Sequence, residues 1–195
     1  MRLLSLIVVA LVFALSVPVQ ADFAGGMKAY KTGAYTTAYQ KWKDLAAQGD
    51  VKAQNNLGIL YRRGLGVKKN PKEAAKWYKL AADQGFAKAQ FNLGLMYKRG
   101  NGVEKDLIKA IDLYQLSARN GYSRAQFALG LRYERGEGVK QNQVKALKWL
   151  NLAITRASGK FRRNVATARE RISEGLSDAE IQEATDLADE FRRNS

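Results

Sequence analysis

The sequence predicts an all-α fold built as an array of antiparallel helix pairs, and three observations carry that prediction. Shifted by 36 residues, the chain matches itself three times over. Within each copy the apolar residues fall at helical spacing, with no stretch of alternating strand pattern. Glycine pairs and N-cap residues punctuate each copy twice, as two helices per unit require.

The first helix of each unit carries Ala53-Gln54, Leu57-Gly58 and Tyr61, which return as Ala89-Gln90, Leu93-Gly94 and Tyr97, then as Ala125-Gln126, Leu129-Gly130 and Tyr133. Ala, Leu and Tyr recur every four residues and form one apolar stripe. A glycine beside the leucine costs helix stability, about 1 kcal/mol against alanine. Its repetition implies a partner helix approaching closely there. Arg63-Gly64-x-Gly66-Val67 ends the helix, as do Arg99-Gly100-x-Gly102-Val103 and Arg135-Gly136-x-Gly138-Val139, with the glycines supplying left-handed turn conformations.

The second helix starts at Asn70, Asp106 or Asn142, all good N-cap residues, and Pro71 takes the first helical position. Ala74, Trp77, Tyr78, Ala81 and Ala82 give it a broad apolar face, and Ala74, Ala110 and Ala146 keep phase, as do Leu80, Leu116 and Leu152. Gly85 and Gly121 close the first two second helices. Ala157 stands at the third position, so that helix runs on or turns differently into the tail.

These motifs resemble the Sel1-like repeat, a relative of the tetratricopeptide repeats with a longer Gly-x-Gly-Val loop. The resemblance covers 51–158 and implies a right-handed α/α solenoid that binds other proteins and catalyses nothing. It divides the chain into units 51–86, 87–122 and 123–158. Tyr35, Ala38, Trp42, Leu45, Ala46 and Gly49 resemble a preceding second helix, which makes 22–50 a divergent N-terminal unit. Leu113 stands between Trp77 and Trp149 in the series, and Leu150 stands where Tyr78 and Tyr114 stood. Residues 159–195 do not repeat. A helix through 161–172 stops near Gly175, and Ser177-Asp178-Ala179-Glu180 opens another as a capping box. Ile181, Ala184, Leu187, Ala188 and Phe191 give that helix an apolar side, so 159–195 reads as the terminal cap a solenoid needs.

Residues 1–21 read as a secretory signal peptide cut after Ala21: Arg2, an apolar run from Leu3 to Val17, then a small-residue end. The alternative, a retained anchor, needs about 20 apolar residues to span a bilayer, and the run is shorter. Export points to the periplasm in a Gram-negative source. The chain has no cysteine and no histidine, which removes disulfides, thiolate nucleophiles, the commonest metal ligand and the commonest neutral-pH base. No cofactor and no metal are expected. Carboxylates in the repeats are scattered, with no pair placed for glycoside cleavage. The glycine loops close helices, whereas phosphate cradles open them after a strand. Ser117 replaces a core alanine, and the in-phase aromatics Tyr61, Tyr97, Tyr133, Trp77 and Trp149 read as core, leaving none to stack on nucleic-acid bases.

The net charge is +15, with the Lys and Arg excess concentrated in 51–158. Outside the cytoplasm that favours anionic partners: acidic protein segments, or alternatively an anionic envelope polymer such as peptidoglycan or lipopolysaccharide. In helical-pair solenoids the first helices line the concave face. Residues pointing away from the Ala-Leu-Tyr stripe should form the binding surface: Lys52, Asn55, Ile59 and Arg63 in the first unit, Lys88, Phe91, Leu95 and Arg99 in the second, Arg124, Phe127, Leu131 and Arg135 in the third. Arg62, Lys98 and Glu134 flank them. Two alternatives stay open at this level: Phe91 and Phe127 pack between units or anchor a partner, and the recurring arginines bind a partner or bond the turn carbonyls.

Overall fold

A computed structural model describes residues 22–194. The proposed signal segment lies outside the described residues. Among the described residues every regular element is helical. In chain order these are α1 (Phe23–Lys31), α2 (Tyr35–Ala47), α3 (Val51–Arg63), α4 (Pro71–Asp83), α5 (Ala87–Arg99), α6 (Leu107–Arg119), α7 (Ser123–Arg135), α8 (Gln143–Thr155), α9 (Gly159–Ser173) and α10 (Asp178–Arg193). No helix among them is long and apolar enough to cross a membrane.

Helices α3 to α8 form three pairs that stack in order, each second helix packing on its own first helix and on the next. Their starts and stops follow the side-chain chemistry. Asn70, Asp106 and Asn142 accept hydrogen bonds from the backbone N–H of Glu73, Lys109 and Lys145 at 3.1, 2.9 and 2.7 Å. Gly64, Gly100 and Gly136 cap α3, α5 and α7 in the left-handed conformation. The backbone N–H of each second-helix N-cap then donates to the carbonyl of Tyr61, Tyr97 or Tyr133, which closes the long turn.

The in-helix glycine is a notch for an aromatic ring. A Cβ on Gly58 would sit 2.6 Å from the Tyr78 ring, and one on Gly94 would sit 2.8 Å from Tyr114. Both tyrosines are fully buried, so the ring's packing repays the helix propensity lost at glycine. In the third unit Leu150 fills the notch, 2.9 Å from the same point on Gly130.

The same notch exists in the divergent N-terminal unit, between Gly26 and the Trp42 indole. It lies out of the 36-residue register because the α1–α2 connection, Thr32 to Ala34, is shorter than the Gly64 to Asn70 loop. The second loop glycines work between units. Gly66 lies against the backbone of Tyr35 and Thr36, Gly102 against that of Pro71 and Lys72, and Gly138 against Ile111 and Leu107. Each Gly-x-Gly-Val loop therefore sits on the start of the preceding second helix.

Conserving phase did not mean equal burial. Tyr61, Tyr97 and Tyr133 are half-buried rather than core. Tyr61 shares a 3.1 Å hydroxyl hydrogen bond with Tyr39, while Lys109 and Lys145 lie over the rings of Tyr97 and Tyr133. Burial first, and then the Tyr39 bond, pushes the Tyr61 hydroxyl up to about 12. Leu80 and Leu116 stay 48% and 45% exposed, whereas Leu152 is only 3% exposed. The difference is α10, which folds back along α8 and brings Ala188 and Phe191 onto Trp149 and Leu152. Its capping box forms, with Ser177 and Glu180 bonding each other's backbone N–H. Helix α8 stops at Thr155 like its counterparts; Ala157 is not a positive-φ position and becomes part of the core, and the positive φ falls on Gly159 at the start of α9.

Candidate functional site

Six of the twelve residues expected on the binding face are brought together around one cavity. Phe91 and Leu95 from α5, with Arg124, Phe127, Leu131 and Arg135 from α7, line a space of about 390 Å³. Lys98, Tyr114, Ala128, Arg132 and Phe161 complete its wall. Phe161 comes from α9, in the non-repeating tail, and was not foreseen as a site residue. The only sequence signal for it was its place one repeat beyond Ala125, at the head of what would be the next first helix.

The phenylalanines pack against neighbouring rings, the first of the alternatives left open by the sequence. Phe91 packs at 5.4 Å from the rings of both Tyr114 and Tyr122, and Phe127 meets Phe161 edge-on at 5.5 Å. Each is only half-buried and presents its remaining face to the cavity. The recurring arginines make no bond to turn carbonyls among the described residues; the backbone closes those turns. Arg63 donates to the Tyr30 hydroxyl at 3.3 Å, and Arg135 reaches Glu137 at 3.5 Å. Arg99 is exposed and has no carboxylate partner among the described residues.

Cations outnumber acids at this site. Arg132 pairs with Glu137, and Glu134 turns away to Arg171 of α9 at 2.7 Å. Lys98 has no such partner among the described residues. Desolvation first, then Arg132, Arg99 and Arg135 nearby, hold its ammonium below the usual lysine pKa. Arg124 lies over the Phe161 ring at 5.6 Å, which fixes its guanidinium at the cavity mouth. The result is an apolar floor with a cationic rim.

The first unit does not contribute to this cavity. Asn55 was expected to face a partner, but it is 4% exposed, and its Oδ1 accepts from Asn92 Nδ2 at 2.9 Å. An amide at this position finds a neighbouring amide one unit on, so it is spent on holding α3 to α5. Ile59 is half-buried against the core beneath it, and Lys52 and Lys88 are exposed away from the cavity. Ser117 is buried, and its hydroxyl donates to the Ala87 carbonyl at 2.6 Å.

Residue type and spacing alone assign no role to the repeating glutamine. Gln54, Gln90 and Gln126 are buried, and their side-chain amides donate to the carbonyls of Ala46, Ala82 and Ala118 at 3.0, 3.2 and 3.1 Å. Each one bonds a carbonyl near the end of the preceding second helix and so latches unit to unit.

Comparison with known proteins matches the Sel1 repeat family model at residues 51–86, 87–122 and 123–158. The chain belongs to the Sel1 repeat family. Among solved structures, this Sel1 repeat chain is similar to a Sel1 repeat protein from Oxalobacter formigenes, 31% identical with a TM-score of 0.73, covering 87% of this chain and 68% of that one. It is also similar to c5321, described as a protective antigen present in uropathogenic Escherichia coli strains, at 29% identity and a TM-score of 0.71, covering 87% of this chain and 40% of that one. A sel1-like repeat-containing protein, R815, of Acanthamoeba polyphaga mimivirus is 51% identical over 39 residues, which is 20% of this chain and 7% of that protein. Sel1 repeats generally mediate protein–protein interaction, and proteins built from them are typically non-catalytic scaffolds.

Proposed function

We propose that this chain is a non-catalytic scaffold of the cell envelope, exported by residues 1–21, that holds an acidic segment of a protein partner in the cavity between α5, α7 and α9. The arrangement that carries this reading is an apolar floor of Phe91, Leu95, Phe127, Leu131 and Phe161 beneath the unpaired cations Lys98 and Arg124. A partner segment supplies one or two apolar side chains to the floor and carboxylates to the rim. Arginine grips carboxylates bidentately, and desolvated aromatic anchors supply most of the affinity in such interfaces.

An anionic envelope polymer would use the rim and ignore the floor. Salt separates the two occupants. The partner is obtained by crosslinking in the native host, and its affinity is then measured between 0.1 and 0.5 M NaCl. With apolar anchors the affinity falls by about tenfold or less, whereas binding through counter-ions alone falls by about a hundredfold or more. The steep dependence, or failure to capture any protein, would overturn the reading in favour of the polymer.

A further inference from the structure

The unit-to-unit glutamine latch is complete twice and broken once. Gln54 Oε1 accepts from Gln84 Nε2 at 2.9 Å, and Gln90 Oε1 accepts from Asn120 Nδ2 at 3.1 Å. In the third unit Arg156 stands at the position of Gln84 and Asn120. Its Nη1 donates to the Gly121 carbonyl at 3.3 Å, just as the Asn120 amide donates to the Gly85 carbonyl at 3.2 Å. It does not reach the glutamine. Gln126 is 4% exposed, and its Oε1 is buried without a donor among the described residues.

That residue lines a cavity of about 320 Å³ bounded by Arg119, Arg156, Arg192, Leu152 and Phe191. Helix α10 supplies Phe191 and Arg192 to one wall, and the Phe191 ring packs on Trp149 at 5.4 Å. Among the described residues no carboxylate lines the space. Arg192 is engaged by Asp189, while Arg119 and Arg156 have no carboxylate partner among the described residues.

We propose that this cleft binds a small organic anion that also carries a hydroxyl donor, of the hydroxycarboxylate or sugar-acid class. The acid group lies against Arg156 and Arg119, whose guanidinium forks match a carboxylate. The hydroxyl donates to Gln126 Oε1, replacing the amide that the first two units supply from their own chain. An anion without a hydroxyl, such as acetate, leaves the glutamine unanswered, and a neutral sugar leaves the guanidinium groups unanswered. The site is separate from the α5/α7/α9 cavity and does not depend on its occupant.

The test is an NMR titration of the ¹⁵N-labelled protein with D-glucuronate, with D-glucose and acetate as controls, following the side-chain signals of Gln126 and Arg156. Glucuronate should shift both signals saturably, with each control at least tenfold weaker. Arg156→Gln restores the residue type of the first unit, so it should complete the latch, abolish the shift and leave the melting temperature unchanged or higher. Arg119→Met, which leaves the latch alone, should weaken glucuronate at least threefold. The proposal fails if the Gln126 signal does not respond to glucuronate, if acetate or glucose matches it, or if Arg156→Gln binds like the wild type.

Discussion

Gly102→Ala should lower the free energy of unfolding by about 3 kcal/mol, because it combines a strained left-handed backbone with an immovable neighbour. The residue has φ +77°, and an added Cβ would collide with the backbone of Pro71 and Lys72 at the start of α4. Neither atom can swing aside as a side-chain tip would. Gly85 is the internal control. It has φ +82°, but nothing lies within 4 Å of the added methyl, so Gly85→Ala should cost only the left-handed strain, about 1 kcal/mol. Urea unfolding of both variants gives the comparison. Equal losses would mean that the loop does not seat on the preceding unit, and the stacking described for these loops would be wrong.

The second large effect concerns the cavity. Lys98→Glu with Arg124→Glu should weaken partner binding by about a hundredfold, since each reversal replaces an attraction at the rim by a repulsion, at about 1.4 kcal/mol per tenfold. Folding should move the other way or stay still. Lys98 is held below the usual lysine pKa by desolvation and by Arg132, Arg99 and Arg135, so its charge is disfavoured in the folded chain. With the folded value below the unfolded one, the wild type gains stability as pH rises from that lowered value toward 10.5. The Lys98→Glu variant should lack this rise. Binding lost while stability holds assigns the cations to a partner; stability and binding lost together would assign them to the fold.

Most of the architecture was legible because a 36-residue period repeats every local signal three times, and chance seldom does that. The N-caps at Asn70, Asp106 and Asn142 and the glycine notch could be read from residue type and spacing alone. The notch at Gly26 could not, since a shorter connection moved it out of register with Gly58. Half of the candidate site was also legible, from the face opposite the Ala-Leu-Tyr stripe. Asn55 was misplaced because helical phase assigns a face without saying what an amide will meet there, and Asn92 was waiting one unit on. Phe161 was missed because the tail breaks the period. The contrast between exposed Leu80 and covered Leu152 was out of reach for a related reason: it depends on where α10 folds back, and nothing in the repeat specifies that.

Binding in the α5/α7/α9 cavity is tested most directly by site-specific photocrosslinking in the native host. A photoreactive residue replaces Leu131 on the cavity floor, and in a parallel strain it replaces Lys76, which is exposed on the outer helix α4. A discrete protein adduct from position 131, absent from position 76 and lost when Lys98→Glu and Arg124→Glu are added, is the predicted result. Adducts from position 76 alone, or an adduct at 131 that survives the charge reversals, would contradict it.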